Sequence, residues 1–534
     1  MKKILSALLV FTLLLSTLCI LPVAATEVSY DLVIDSADDW TNFETYYEDY
    51  ADKAIKLECN VTASKTLAAF SGTFDGNGNT ITISAPLFES LAGATVKNVI
   101  LAGNVTADSG ATLAALSLGA TDTVTIERCV NNASVSLTAS EDFNVGAFVA
   151  FQDKDLAALT IKACVNNGAI QATSGTTYRG TVSGFVGRCN SGDITIDKCV
   201  NNGAITSTVP ANSDMRLGGF FGRNGTASLT ISNCVNKGDI TSVAGLLGGV
   251  IGDVSASVTI FNCYNYGEVK NTDGSVDTSV GGIAGRLHKS SSVIACINKG
   301  AVTLNLSSTN PTTFGAGGIA GAVSGSSVTA EISDCYSLGT VTATNANQFV
   351  NGIIGYNKGT TTVTNTLMDA GVTTFSQNTG TKTLTFVNTK YVAAEGENTI
   401  KSVDAWNDTL PIKGIGYQTT AVSEGVYNVR FVSTITEEEC ANYDSFGYEI
   451  IRYTATSAGA ITTQPQTTVY SSINGAYTDG ENMGETTPYY ALFVVEDVPA
   501  NEDVTFVVRP FVKSGDTVVY GNALEVKPAP TPAT

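Results

Sequence analysis

Cys199-Val200-Asn201-Asn202-Gly203 returns 35 residues later as Cys234-Val235-Asn236-Lys237-Gly238. Between the two copies lie Gly218-Gly219-Phe220-Phe221-Gly222 and the alternating run Leu229-Thr230-Ile231-Ser232-Asn233. This is one period of a repeat. The same block begins at Cys129, Cys164, Cys199, Cys234, Cys263, Cys296 and Cys335, at intervals of 35, 35, 35, 29, 33 and 39 residues. Two places after each cysteine stands Asn131, Asn166, Asn201, Asn236, Asn265 or Asn298, with Ser337 in the last copy. A period of this size marks a solenoid, in which each unit is buried only by its neighbours.

Working outward from the block, each period holds three apolar stretches bounded by Gly or Asn. The first is Gly-rich, as in Gly248-Gly-Val-Ile-Gly252, Gly281-Gly-Ile-Ala-Gly285 and Gly317-Gly-Ile-Ala-Gly321. The second alternates, and the third is short, such as Asp239-Ile240-Thr241. β-branched stretches this short and this punctuated read as strands. Three strands per period predict one triangular coil of a right-handed parallel β-helix, an all-β fold. Stacked coils align equivalent residues in columns at the ~4.8 Å spacing of paired strands. Val, Ile and Phe columns are expected to fill the interior, and the Asn column to bond amide to amide along the stack.

The cysteine column invites a metal or redox reading. Parallel in-register side chains keep their Cβ atoms too far apart for disulfides. No Cys-x-x-Cys pair is present and the chain has one histidine, so zinc spacing is missing. The cysteines are expected to be small buried apolar residues, with no metal and no cofactor.

At the N-terminus, Met1-Lys2-Lys3, an apolar run from Ile4 to Leu21 and Val23-Ala24-Ala25 make residues 1–25 a signal peptide. A secreted chain with no membrane span after it is expected. Residues 26–64 read as a cap. Ser36-Ala-Asp-Asp39 opens a helix, Trp40, Phe43 and Tyr47 follow at helical spacing, and a strand runs over Ala54–Val61. An uncovered first coil would expose core and a sheet edge, so a plug is required. The solenoid is expected over 65–390.

The Cys-Asn-Gly rhythm stops near Tyr391. Strands are expected at Ile415–Thr419, Tyr427–Ile435, Phe446–Tyr453, Tyr489–Val495 and Val504–Val512, separated or flanked by turns such as Asn474-Gly475. Residues 391–527 therefore read as an antiparallel β-sandwich, and 528–534 as a Pro/Thr linker tail.

Phe70-Ser-Gly-Thr-Phe-Asp75-Gly-Asn-Gly78, the Gly-Gly-φ-φ-Gly segments (φ apolar) and the Cys-φ-Asn-x-Gly blocks together resemble GLUG-motif β-helix proteins of bacterial surfaces. The likeness covers residues 65–370. Gly416-Tyr-Gln, Tyr427-Asn-Val-Arg430-Phe and Val508-Arg509-Pro-Phe511-Val resemble a sandwich module of secreted Firmicutes proteins. The resemblance implies an extracellular surface or adhesion context and no particular reaction. His-Glu-x-x-His is absent, so the metallopeptidase activity of some GLUG relatives does not carry over.

With 29 Lys+Arg against 49 Asp+Glu, the net charge of −20 disfavours nucleic acid and anionic membranes as partners. A pectate-lyase-like enzyme is one reading of a β-helix, but it needs two carboxylates about 5–10 Å apart. No acidic column lies beside the Gly-Gly segments, and no catalytic residue is assigned. The binding reading rests on the residue just after each such segment: Phe151, Arg188, Arg223, Asp253, Arg286, Ala322 and Tyr356. Stacked in one row, the arginines would supply forked donors and the rings a stacking face for an acidic or hydroxylated glycan. Asp253 between Arg223 and Arg286 fits a self-neutralising solvated face, the strong alternative to a binding row. Variable segments at Ala172–Val182, Val209–Leu217, Lys270–Thr278 and Thr303–Phe314 offer a second candidate surface. The expected protein is a monomeric, non-catalytic, adhesin-like or glycan-binding surface protein, with a rigid spacer presenting the C-terminal domain as the third reading.

Overall fold

The computed structural model describes residues 29–369, with short gaps at 153, 211–213, 274–275, 277, 306–314, 326, 334, 338, 345–348 and 365, and strands between 384 and 526. The expected signal peptide 1–25 and the expected linker tail 528–534 lie outside the described residues.

The chain enters through a strand, Leu32–Ile34, that pairs in parallel with Ala54–Leu57, which in turn pairs with Thr73–Asp75. Between the first two runs helix α1 (Ala37–Thr45), capped by Ser36, whose hydroxyl oxygen accepts from the Asp39 N–H at 3.2 Å. That bond satisfies one of the donors a helix start leaves open. Trp40, Phe43 and Tyr47 are buried. The Phe43 ring lies 6.2 Å from Phe74, and Phe70 stacks on Phe88 at 5.4 Å, so the aromatic plug runs into the first coils.

The coil between the two quoted blocks shows how a period folds. It consists of β1 (Met215–Gly218), β2 (Phe221–Asn224), β3 (Ser228–Ser232), β4 (Val235–Asn236) and β5 (Ile240–Ser242). Each strand pairs in parallel with its equivalent in the coils before and after. The result is a parallel β-solenoid, and β1-type strands from eight coils form one sheet.

The coil therefore carries five short strands where the sequence suggests three. The Gly-Gly-φ-φ-Gly segment is a bend, not a strand: β1 ends at Gly218, and β2 starts at Phe221. A Cβ on Gly219 would stand 2.3 Å from the Gly249 carbonyl oxygen and 2.7 Å from the Asn236 Oδ1. Only glycine lets the backbone come down onto the Asn column at this corner. A second break separates β3 from β4. The residue just before the cysteine has a left-handed backbone in six coils: Arg128, Ala163, Lys198, Asn233, Asn262 and Ala295, with φ from 51° to 57°. Asn tolerates that conformation; the other four residues, Arg128, Ala163, Lys198 and Ala295, give no hint of it in the sequence.

Inside, the first apolar residue of each bend forms a column in which Phe148, Phe185 and Phe220 follow at 4.9 Å centroid spacing. The cysteine column is fully buried apart from 2 % exposure at Cys129. None of its seven thiols forms a disulfide. The Cys164 N–H donates to the Cys199 Sγ at 3.4 Å, and the Cys199 thiol donates to the Asp197 carbonyl at 3.2 Å. Thr366 Oγ1 accepts from the Cys335 N–H, so the column needs a small acceptor rather than a thiol in particular. Burial pushes the Cys129 and Cys234 thiols well above their ordinary pKa.

Beyond residue 400 the strands are antiparallel and form two sheets of four and five strands. The longest are Lys413–Ser423, Val426–Thr436, Ser445–Thr454, Pro488–Pro499 and Val504–Ser514.

Candidate functional site

Successive β2-type strands pair Phe151 with Arg188, Arg188 with Arg223, Arg223 with Asp253, Asp253 with Arg286, Arg286 with Ala322 and Ala322 with Tyr356. The seven positions form one column. It is not a uniformly solvated row. Asp253 is fully buried and the Arg223 and Arg286 side chains are 27 % and 18 % exposed. Tyr356 is buried, with its ring 5.2 Å from Phe349, so it offers no open stacking face at that end. At the other end the Arg188 guanidinium sits over the Phe151 ring at 5.7 Å.

The reason for this burial is the bend. Because β1 folds back at Gly218-Gly219 onto β2, a β1 side chain comes to lie against the column. Phe349 does so at Tyr356, and Arg216 does so at the centre. Arg216 Nε lies 3.1 Å from Asp253 Oδ2, Arg223 Nε 3.5 Å from the same oxygen, and Arg286 Nε 2.8 Å from Oδ1. Arg286 adds a second bond from Nη2 to Oδ2 at 3.0 Å, and the Ser255 hydroxyl donates to Oδ2 at 3.0 Å. One buried carboxylate thus holds three guanidiniums from the two coils that flank it.

Desolvation works against the Asp253 carboxylate, but the charges of Arg286, Arg216 and Arg223 prevail and hold its pKa below the usual range. Arg223 is displaced the other way. Burial, then the charge of Arg216, lowers its pKa. Arg216 also reaches Asp214 Oδ1 at 2.9 Å, and the exposed Arg179 reaches Asp214 Oδ2 at 3.2 Å. Arg179 and Arg216 come from the variable segments 172–182 and 209–217. The two candidate surfaces read from the sequence therefore meet here. The sequence marked the segment that carries Arg216 but not the residue. The signal available was its place two residues before Gly218.

The other candidate residues lie in the interior. Asn131, Asn166, Asn201, Asn236, Asn265 and Asn298 are fully buried. Each Nδ2 from Asn131 to Asn265 donates to the next Oδ1, at 2.7–2.8 Å over five steps. Each also donates to the carbonyl two residues on, as Asn201 does to Gly203 at 2.9 Å. The ladder stops at Ser337, whose buried hydroxyl has no partner among the described residues. These residues, with the cysteines Cys129, Cys164, Cys199, Cys234, Cys263, Cys296 and Cys335, are buried inside the solenoid and hold its coils together.

Among the described residues no three His, Cys, Asp or Glu side chains gather as a metal site requires. No described helix is long and apolar enough to cross a membrane.

No protein-family model and no curated protein matches the chain. Among solved structures it is similar to a putative immunoglobulin A1 protease from Bacteroides ovatus, at 16 % identity and a TM-score of 0.37, over 46 % of this chain and 79 % of that one. A second, an IgA1 protease, matches at 21 % identity and a TM-score of 0.35, over 53 % of this chain and 23 % of that one. The active domain of the bacteriophage CBA120 tailspike protein 4 matches at 11 % identity and a TM-score of 0.21, over 88 % of this chain and 64 % of that one.

Proposed function

We propose that this is a secreted, non-catalytic bacterial surface protein of the GLUG type that binds acidic glycans through the arginine column. The observation that carries the reading is the convergence of Arg216, Arg223 and Arg286 on Asp253, with Arg188 one coil away in the same column. Three guanidiniums on one carboxylate leave a local surplus of positive charge in a chain of net charge −20. Such a strip recruits anionic groups that the rest of the surface repels.

A hydrolytic role is disfavoured by the same chemistry. A glycosidase needs one carboxyl that keeps its proton and a second positioned across the scissile bond. Asp253 is ionised and engaged on both oxygens, and Asp214 is tied to Arg216 and Arg179. Asp253 has no proton to give.

The test is binding of the full secreted chain to immobilised polygalacturonate and sulfated dextran. Binding should weaken as salt is raised, because exposed charge contacts are screened within ~10 Å at 0.1 M. Arg188→Ala with Arg223→Ala should reduce it at least tenfold without lowering the melting temperature of the rod. Equal binding by the double variant, or release of unsaturated or reducing sugar ends by the wild type, would overturn the reading.

A further inference from the structure

The cluster is built for one kind of anion. Every arginine in it is anchored through Nε. Arg188 Nε donates to Asn190 Oδ1 at 2.9 Å and Arg223 Nε to the Ser255 hydroxyl at 3.0 Å, while Arg216 and Arg286 donate to Asp253. Fixing Nε sets the plane of a guanidinium and aims its terminal fork. For Arg223, at the middle of the column, both Nη groups have no hydrogen-bond partner among the described residues. A half-buried fork of this kind, held in place and surrounded by three other guanidiniums, shares Asp253 with two of them and lacks a full counter-charge of its own.

Among the described residues the carboxylates do not supply it. Arg179, Arg216, Arg223 and Arg286 share Asp214 and Asp253, four cations on two anions.

We infer that the Arg223 fork, oriented by Ser255 and Asp253, grips a sulfate ester on the glycan, with Asp253 as a positioning residue that does not touch the ligand. This rests on the acidic-glycan reading and narrows it. Arg188 and Arg223 lie one strand spacing apart along the axis, about 4.8 Å. A carboxylate pairs best with a single fork in its own plane. The three terminal oxygens of a sulfate ester point in different directions and reach donors on two levels. A sulfate ester also stays charged at any ordinary pH, whereas a uronate is lost in the usual carboxylate range, near ~4.

The groups facing Asp253 set the pH response. These are Arg216 from β1, Arg223 and Arg286 from the flanking coils, Ser255 on its own coil, and His288 close to Arg286. Lowering the pH protonates His288, which adds positive charge, while the depressed pKa of Asp253 keeps the carboxylate that orients the fork ionised below the usual range. Sulfate binding should therefore hold or rise while uronate binding falls.

The experiment uses the full chain on immobilised dextran sulfate, polygalacturonate and plain dextran, from about pH 7 down to about pH 3.5. Dextran sulfate should bind at least tenfold more tightly than polygalacturonate, and keep its binding at the acid end. Arg223→Lys retains the charge but not the fork, and should lose about tenfold on dextran sulfate with an unchanged melting temperature. Wild-type affinity in Arg223→Lys and Arg223→Ala overturns the assignment. So does an arginine-dependent affinity for polygalacturonate equal to that for dextran sulfate, which would leave the broader acidic-glycan reading standing. Binding to none of the three overturns both.

Discussion

The interior Asn column and the exterior arginine column run along the same solenoid with the same period, yet they are built on opposite rules. Inside, the same residue recurs at six consecutive coils because each amide bonds to its neighbour's amide and to its own turn. A position that must satisfy the coil above and below has one solution. Outside, Phe, Arg, Arg, Asp, Arg, Ala and Tyr follow one another at equivalent positions. Nothing in the coil geometry dictates those choices. The regular column explains how the rod stands, and the irregular one is where a ligand is to be sought.

Asp253 challenges that division, since it belongs to the variable column and yet is fully buried. Asp253→Asn should be the most costly change, at about 3–5 kcal/mol at neutral pH, because three arginines lose a desolvated counter-charge. Its pKa is depressed in the fold. The stability it contributes is therefore complete above the unfolded carboxylate value of ~3.9, and is lost as pH falls through the lower folded value. Denaturant titrations of wild type and variant should converge in acid. A gap that persists unchanged at low pH would show that the charge is not what matters.

Asn201→Leu tests the interior rule. It strands the Gly203 carbonyl and the Asn236 Oδ1, and it removes the acceptor of the Asn166 amide. Each stranded group costs ~1–3 kcal/mol, so a loss of about 2–4 kcal/mol in chemical unfolding is expected. A loss near zero would mean that the ladder is decoration.

Gly219→Ala should cost about 1–3 kcal/mol by forcing the bend away from the Asn236 side chain and the Gly249 carbonyl. A melting curve indistinguishable from wild type would break the link between bend and ladder.

The mildest change repairs rather than damages. Ser337→Asn should extend the ladder by one step, accept from Asn298 Nδ2, and raise stability by about 1 kcal/mol. Destabilisation there would mean that the last coils differ in spacing from the rest.

The period, the interior columns and their register were legible in the chain alone. Strand pairing at a fixed repeat turns a sequence interval into a spatial column, and Asn two places after Cys can be counted without a structure. The same logic put Phe151, Arg188, Arg223, Asp253, Arg286, Ala322 and Tyr356 in one line. What no interval reveals is contact across a fold within the coil. The Gly-Gly-φ-φ-Gly segment reads as a strand because its residues are apolar, but the glycines are there to bend onto the Asn column. That bend brings Arg216 to Asp253 and Phe349 to Tyr356. It changes a solvated row into a half-buried ionic cluster and closes one aromatic face. Sequence alone determined which residues repeat along the axis, because hydrogen-bonded stacking enforces the period. The tertiary structure alone decided which of them meet across it, because burial and charge pairing depend on how each coil turns its corners.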